Sequence, residues 1–424
     1  MQEDFLHYLW KHKKIDVSNI KTTDNEIINL HSVGQHNFNA GPDFFNAQLE
    51  IDNQLWAGNV EVHIKSSDWF LHNHELDKAY DNVILHVVWE HDTDIFRRNN
   101  TKIPTLELKN YLSKSALNNY EKLFSKSGKW INCEYDFSSI NDFDIFNWLE
   151  RLYLERLERK SEHINALLLA SKNDWEAVLF KMLLKNFGLK VNGDAFLSLA
   201  NSVDFSIIRK TLTNNTTLEA LLFGQAALLE QEIEEPYYLE LAKEYEFLKQ
   251  KFLLYNKNVM PIQFFRLRPP NFPTIRLSQL ATLYHQNKNL FSKIIEINTL
   301  DDFYDLFSVP TSSFWESHYT FGKSSKKSRK VLTKGFVDLL LINTIIPLKF
   351  SYAKFQGIHT EDSIISLIES IASEKNNIIE KFNSLKLVSR SALQSQGLLQ
   401  LKNDYCNKNK CLQCAIGNSL LHSN

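Results

Sequence analysis

Apolar residues at Phe5, Leu6, Leu9 and Trp10 fall at helical spacing, which predicts a short amphipathic helix over residues 3–13. The pattern then changes. Residues 27–33, 44–51 and 60–64 alternate or are rich in β-branched and aromatic side chains, which predicts strands. Asn53 and Gly58 offer turns between the last two, so these should pair as a hairpin. A polar helical stretch is expected over 74–81, leading into residues 83–89, whose apolar content suits a buried strand. From about Ile140 onward the apolar period is 3.6 residues and β-rich runs are few. The expected fold is therefore α+β: an α/β core with a mixed sheet over residues 1–135, followed by a mainly α-helical domain over 136–424.

Two segments interrupt the helical pattern. Residues 266–276 are rich in proline and predict a rigid loop. Residues 321–330 are rich in serine and lysine with no apolar period, which predicts an exposed, mobile loop. Length agrees with two domains, since 424 residues exceed what one hydrophobic core usually supports. The most apolar run, residues 337–348, is broken by Asp338, Asn343 and Pro347, so no membrane span is expected. The first residues carry acids where a secretion signal needs bases, and a cytoplasmic protein is expected. A formal net charge of -2 gives no overall attraction to phosphate backbones, so any nucleic-acid surface must be a local patch. Oligomeric state is not legible.

Histidine is concentrated at one end: nine of the fourteen lie within the first 91 residues. Gly41-Pro42-Asp43 is followed, eighteen residues after the aspartate, by Glu61-Val62-His63-Ile64-Lys65. On a strand, Glu61, His63 and Lys65 share one face. If Asp43 begins the neighbouring strand, its carboxylate meets that of Glu61, and two acids form a hard site suited to Mg2+ or Mn2+. Such a cation can activate water and stabilise charge on a phosphodiester, with His63 or Lys65 orienting the nucleophile or contacting the phosphate. Close by, His72, His74 and Asp77 are candidate ligands for zinc or manganese, a candidate general acid for the leaving oxygen, or caps of the predicted helix that hydrogen-bond one another. His86, flanked by apolar strand residues, reads as a core histidine.

Pro42, Asp43 and Glu61, in this order of elements, resemble the restriction-endonuclease-like superfamily, whose pattern is Pro-Asp, a hairpin, then Glu or Asp, any residue, and Lys. His63 stands where that family most often has Lys, with Lys65 as a substitute on the same face. Glu3, on the first helix, matches the place where some members carry an additional metal-binding acid. The resemblance implies a metal-dependent nuclease, or a non-catalytic nucleic-acid or partner-binding protein that keeps the nuclease fold. A small-molecule hydrolase built on the His/Asp cluster is a third reading.

A closer resemblance, over nearly the whole chain, is to an uncharacterised bacterial family of unknown function. It rests on Ala40-Gly-Pro-Asp-Phe44, Gly58-Asn-Val-Glu-Val-His63, Ser67-Asp-Trp69, His72-Asn-His74, Asp77, and Tyr80 through Val88. Later pieces are Glu219-Ala-Leu-Leu-Phe-Gly-Gln225, Phe265-Arg-Leu-Arg-Pro269, Asn271-Phe-Pro-Thr-Ile-Arg276 and Cys411-Leu-Gln-Cys414.

Cys406, Cys411 and Cys414 follow a C-x4-C-x2-C spacing, and Cys133 is the only other cysteine. Four thiolates suit one zinc ion or one [4Fe-4S] cluster, with His422 an alternative to Cys133, or the cysteines are simply reduced. Some nucleases of the superfamily carry an iron-sulfur cluster on one distant and three clustered cysteines, although the lone cysteine there usually precedes the core. Arg266, Arg268 and Arg276 in the proline-rich segment, with Lys326, Lys327 and Arg329 among six cations between Lys323 and Lys334, are candidate phosphate contacts. Phe265, Phe272, Trp315 and Tyr319 are candidate stacking platforms for bases, and solvated loops are the other reading of these segments.

Overall fold

The computed structural model describes residues 2–125, 128–359 and 361–422, the last of these by its backbone. The protein is α+β, and it divides into two compact units: residues 1–148 together with 401–424, and residues 149–400. The first unit is thus discontinuous, and the last stretch of chain belongs with the sheet-containing core rather than with the helical region where the sequence pattern put it.

Helix α1 (Glu3–Lys11) buries Phe5, Leu6, Tyr8, Leu9 and Trp10 on one side. The Trp10 indole donates to the Val33 carbonyl at 3.2 Å. Its acids, Glu3 and Asp4, lie in the first turn and Lys11 in the last, which suits the helix dipole. A six-stranded mixed sheet follows: β1 (Ile28–Ser32), β2 (Gln35–His36), β3 (Phe44–Ile51), β4 (Gln54–Lys65), β5 (Val83–Glu90) and β6 (Thr105–Glu107). The order is β1-β3-β4-β5-β6, with β2 beside β3. The β1, β3 and β4 strands are antiparallel, whereas β4, β5 and β6 are parallel.

The hairpin turn between β3 and β4 is Asp52-Asn53, both left-handed at φ 47° and 64°, which is the turn that matches strand twist. Gly58, expected at a turn, instead lies inside β4. A Cβ there would come within 2.4 Å of the Ile84 side chain and 2.6 Å of the Asn82 carbonyl, so glycine allows the β5 backbone to draw close. Residues Val83 to Val88 of β5 are all buried, which explains their unbroken apolar and histidine run.

The connection from β4 to β5 is not the helix expected over 74–81. It contains a short helix α2 (Asp68–Leu71) and two 3-10 turns, His74–Leu76 and Lys78–Tyr80. Asn73 is left-handed at φ 60°, and Asp77 is extended at φ -94°, so neither continues a helix. Trp69, Tyr80, Val83, Ile95 and Ile103 form a small core beneath this crossover.

The second unit is built around helices whose apolar faces form one large core. Helix Pro273–Gln286 runs through it, with every residue from Pro273 to Tyr284 buried. Residues 334–356 form one helical segment, with a wider π turn at Leu341–Ile345 just before Pro347 that accommodates the missing N–H. This segment is long and apolar enough to cross a membrane by length and composition alone, and 78% of its most apolar window is buried inside the protein. Asp338, read as an interruption, accepts a hydrogen bond from Tyr304 Oη at 2.7 Å.

Lys349 reaches from this segment to the end of helix Leu290–Glu296. Its ammonium donates to the carbonyls of Ile294, Ile295 and Ile297 at 3.0, 2.8 and 2.6 Å. Burial pulls its pKa down to about 8. Replacing Lys349 with Met removes a charged donor from three carbonyls, and denaturant unfolding should show a loss of about 2 kcal/mol.

Candidate metal centre

The loop before β3 is fixed by Asn37, whose Nδ2 donates to the carbonyls of Asn39, Ala40 and Pro42 at 3.0, 3.3 and 3.1 Å. Gly41 turns the chain at φ +101°, a conformation natural to glycine. Asp43 thereby enters the sheet opposite Glu61, as the pairing of Phe44 with Val60 requires. Each acid grips the other strand: Asp43 N donates to Glu61 Oε2 at 3.1 Å, and Val62 N donates to Asp43 Oδ2 at 3.0 Å.

Two groups of candidate ligands flank this pair. On one side Glu3 and His7, one turn apart on α1, meet Asp43, with His7 Nε2 3.2 Å from Asp43 Oδ2. Glu3, His7 and Asp43 each offer a ligand atom, all within 4.8 Å of one another. On the other side His63, His72 and His74 do the same. Glu61 touches this second group as well: its Oε1 lies 3.4 Å from His63 Nε2 and 3.2 Å from His74 Nε2. His72 Nδ1 is 3.1 Å from His63 Nε2. The left-handed Asn73 turns the chain between His72 and His74, and Tyr80 stacks on the His74 ring at 3.8 Å. Behind them His86 is fully buried, its Nε2 2.9 Å from His63 Nδ1. That contact fixes the His63 ring and leaves Nε2 facing the site, the outer-shell arrangement of a metal-binding imidazole.

Electrostatics sharpen the picture. Glu61 is 5% exposed, and burial, then the charge of Asp43, pushes its carboxyl pKa up to about 9. His63 is 1% exposed, and burial with the neighbouring imidazoles brings its pKa down to about 3. Burial also lowers His74. For His7 burial acts downward, but the hydrogen bond and charge of Asp43, with Glu3, outweigh it and raise the pKa. Burial raises Glu3, with Asp43 adding to the rise and His7 opposing it. A buried carboxyl pushed this far up lacks a balancing positive charge, and neutral imidazoles are ready to donate lone pairs. His74 Nε2 is buried and lacks an aligned hydrogen bond among the described residues. A divalent cation would answer all three conditions.

Other sequence candidates lie elsewhere. Lys65 is exposed at the end of β4, and its backbone N–H donates to Asp68 Oδ2 at 2.9 Å. Asp77 is exposed and caps the next turn, accepting from Ala79 N at 2.9 Å. Arg276 is 6% exposed, bonded to Gln279 and Asn271 and stacked over Phe336, so it is closed to phosphate. The Arg266, Arg268, Lys326, Lys327 and Arg329 side chains are exposed, and Lys327 pairs with Glu316 at 3.4 Å. The segment expected to be a mobile loop is instead tied down: His318–Thr320 and Lys323–Ser324 pair as a small hairpin, and Ser325 N and Ser328 N donate to Ser317 and Glu316 carbonyls. All four cysteines are free thiols around one pocket of the first unit, and the His422 side chain lies outside the described residues.

His7 is the residue that sequence reading missed. The available signal was the four-residue interval from Glu3, which places both on one face of α1. Comparison with curated proteins and with solved structures gave no match. A family model described as "Protein of unknown function (DUF2851)" matches residues 3–377, and the chain belongs to that family.

Proposed function

We propose that this protein is a divalent-metal-dependent hydrolase of nucleic-acid phosphodiesters, a DNase in the first instance, working in the cytoplasm. The observation that carries this reading is the cross-strand pairing of Asp43 with Glu61 beside Glu3, His7, His63, His72 and His74, of which His63 is buried, Glu3, His7 and His74 are half-buried and His72 is exposed. The order of elements supports it: helix, antiparallel β1-β3-β4, helical crossover and parallel β5 follow the order of restriction-endonuclease-like enzymes. Asp43 and Glu61 would hold the cation, with Glu3, His7 and the three imidazoles completing its surroundings. A mixed carboxylate and imidazole set suits manganese or zinc better than magnesium, which prefers oxygen ligands. When bound, such an ion activates water and offsets charge on the phosphodiester. His86 keeps Nε2 of His63 turned toward the site, and Lys65 at the open end of β4 is available to a substrate phosphate. Arg266, Arg268, Lys326, Lys327 and Arg329 are exposed cations available to a nucleic-acid backbone.

The test is cleavage by the full-length protein, purified with its metals and assayed on single- and double-stranded DNA and on RNA with Mn2+, Zn2+ and Mg2+. Metal-dependent cleavage is expected, strongest with Mn2+. Tight metal binding without cleavage of any substrate would replace the enzyme by a nucleic-acid-binding protein, the reading favoured by His63 in place of lysine.

A further inference from the structure

The four cysteines converge although sequence separates Cys133 from the other three by most of the chain. Cys133 lies in the tight turns of residues 131–136, where Asp136 N donates to its carbonyl at 3.1 Å. Cys406 and Cys411 open two 3-10 turns, Cys406–Lys408 and Cys411–Gln413, and Asn409 between them is left-handed at φ 53°. Together with Cys414 they line one small pocket, whose other walls include Leu401, Tyr405 and Ile416. No disulfide joins any of them.

The surroundings are built for sulfur. Asn132 Nδ2 donates to Cys411 Sγ at 3.3 Å, and the backbone N–H groups of Ile416 and Gly417 are directed at the Cys414 sulfur. Gly417 permits that approach, since a Cβ there would stand 2.2 Å from the Cys411 carbonyl oxygen. Hydrogen bonds of this kind stabilise metal-bound thiolates.

The donor set narrows the occupant. Four cysteine sulfurs around one pocket, with hydrogen bonds aimed at two of them, fit a cuboidal iron-sulfur cluster, whose potential such bonds tune, and a tetrahedral zinc is the competing occupant that the test must exclude.

We propose that Cys133, Cys406, Cys411 and Cys414 ligate one [4Fe-4S] cluster, which fastens residues 401–424 to the rest of the first unit. The test is anaerobic purification of the full-length protein, with reconstitution by ferrous iron and sulfide. A brown protein with about four irons and four acid-labile sulfides per chain is expected, bleached by dithionite or by oxygen. Cys133→Ser and Cys411→Ser should each lose most of the iron, and their residues 401–424 should become sensitive to limited proteolysis. A colourless wild-type protein without iron, or one holding a single zinc per chain, overturns the proposal. So does a full iron content in a folded Cys133→Ser protein with helical circular dichroism intact.

Discussion

Asp43→Asn and Glu61→Gln should each reduce metal-dependent cleavage by at least a hundredfold while leaving the protein folded. Replacing residues merely outside a metal's ligand shell commonly lowers affinity or activity 10- to 100-fold, so removing a ligand should do more. Both substitutions keep the side-chain shape and retain an oxygen able to accept the cross-strand backbone N–H, from Val62 for position 43 and from Asp43 for position 61. Glu61→Gln also removes a buried ionisable group, so the metal-free variant should melt no lower than the metal-free parent. Metal content by mass spectrometry and melting with and without Mn2+ separate loss of the ion from loss of the fold. His63→Ala should cut cleavage as well. If Lys65→Ala has the greater effect, the lysine carries the phosphate contact. Wild-type cleavage rates in Asp43→Asn would remove that carboxylate from the chemistry.

Trp315→Ala should destabilise the second unit by about 3–5 kcal/mol, the usual consequence of truncating a large buried aromatic. The ring is fully buried and stacks on Phe223 with centroids 5.4 Å apart and planes 7° from parallel. Phe314 and Phe321 meet it edge-on or tilted at 4.9 Å each. Trp315→Phe should recover part of the loss, because it refills some of the cavity. Calorimetry of the two variants gives the comparison, and a change below about 1 kcal/mol in Trp315→Ala would contradict the packing. The same burial excludes Trp315 from the base-stacking role that its neighbouring cations suggested.

Local pattern made the candidate metal centre partly legible. Alternation placed Glu61 and His63 on one strand face, and the hairpin brought Asp43 across to them. His72 and His74 were readable because a short crossover returns them to the strand that they follow. His7 was not, since its contact with Asp43 joins a helix to a strand far along the chain. Gly58 and Asn53 looked alike as turn signals, and only the close approach of Ile84 distinguishes the strand glycine from the turn asparagine. Exposure of Arg276 and Trp315 depends on tertiary packing, so a cation and a ring that suggested a nucleic-acid surface are core residues. Asp77 illustrates a local competition: its carboxylate is closer to satisfaction as a cap than as a ligand.

The discontinuity of the first unit imposes an order on biogenesis. Residues 149–400 must be synthesised before the segment that completes the unit can arrive, a wait of about 10–50 s at ordinary bacterial and eukaryotic elongation rates. Equilibrium tolerates this, because loop closure grows more costly by only about 0.6 kcal/mol per doubling of length. Kinetics does not treat it so lightly. During the wait Cys133 stands in the turns that follow the nascent sheet without its three partners, and the helix Ala415–His422, whose Ile416 and Leu421 end up buried, has yet to arrive. The helical unit has a large apolar core of its own, and early burial of that core would limit how much apolar surface is offered to other chains during the wait.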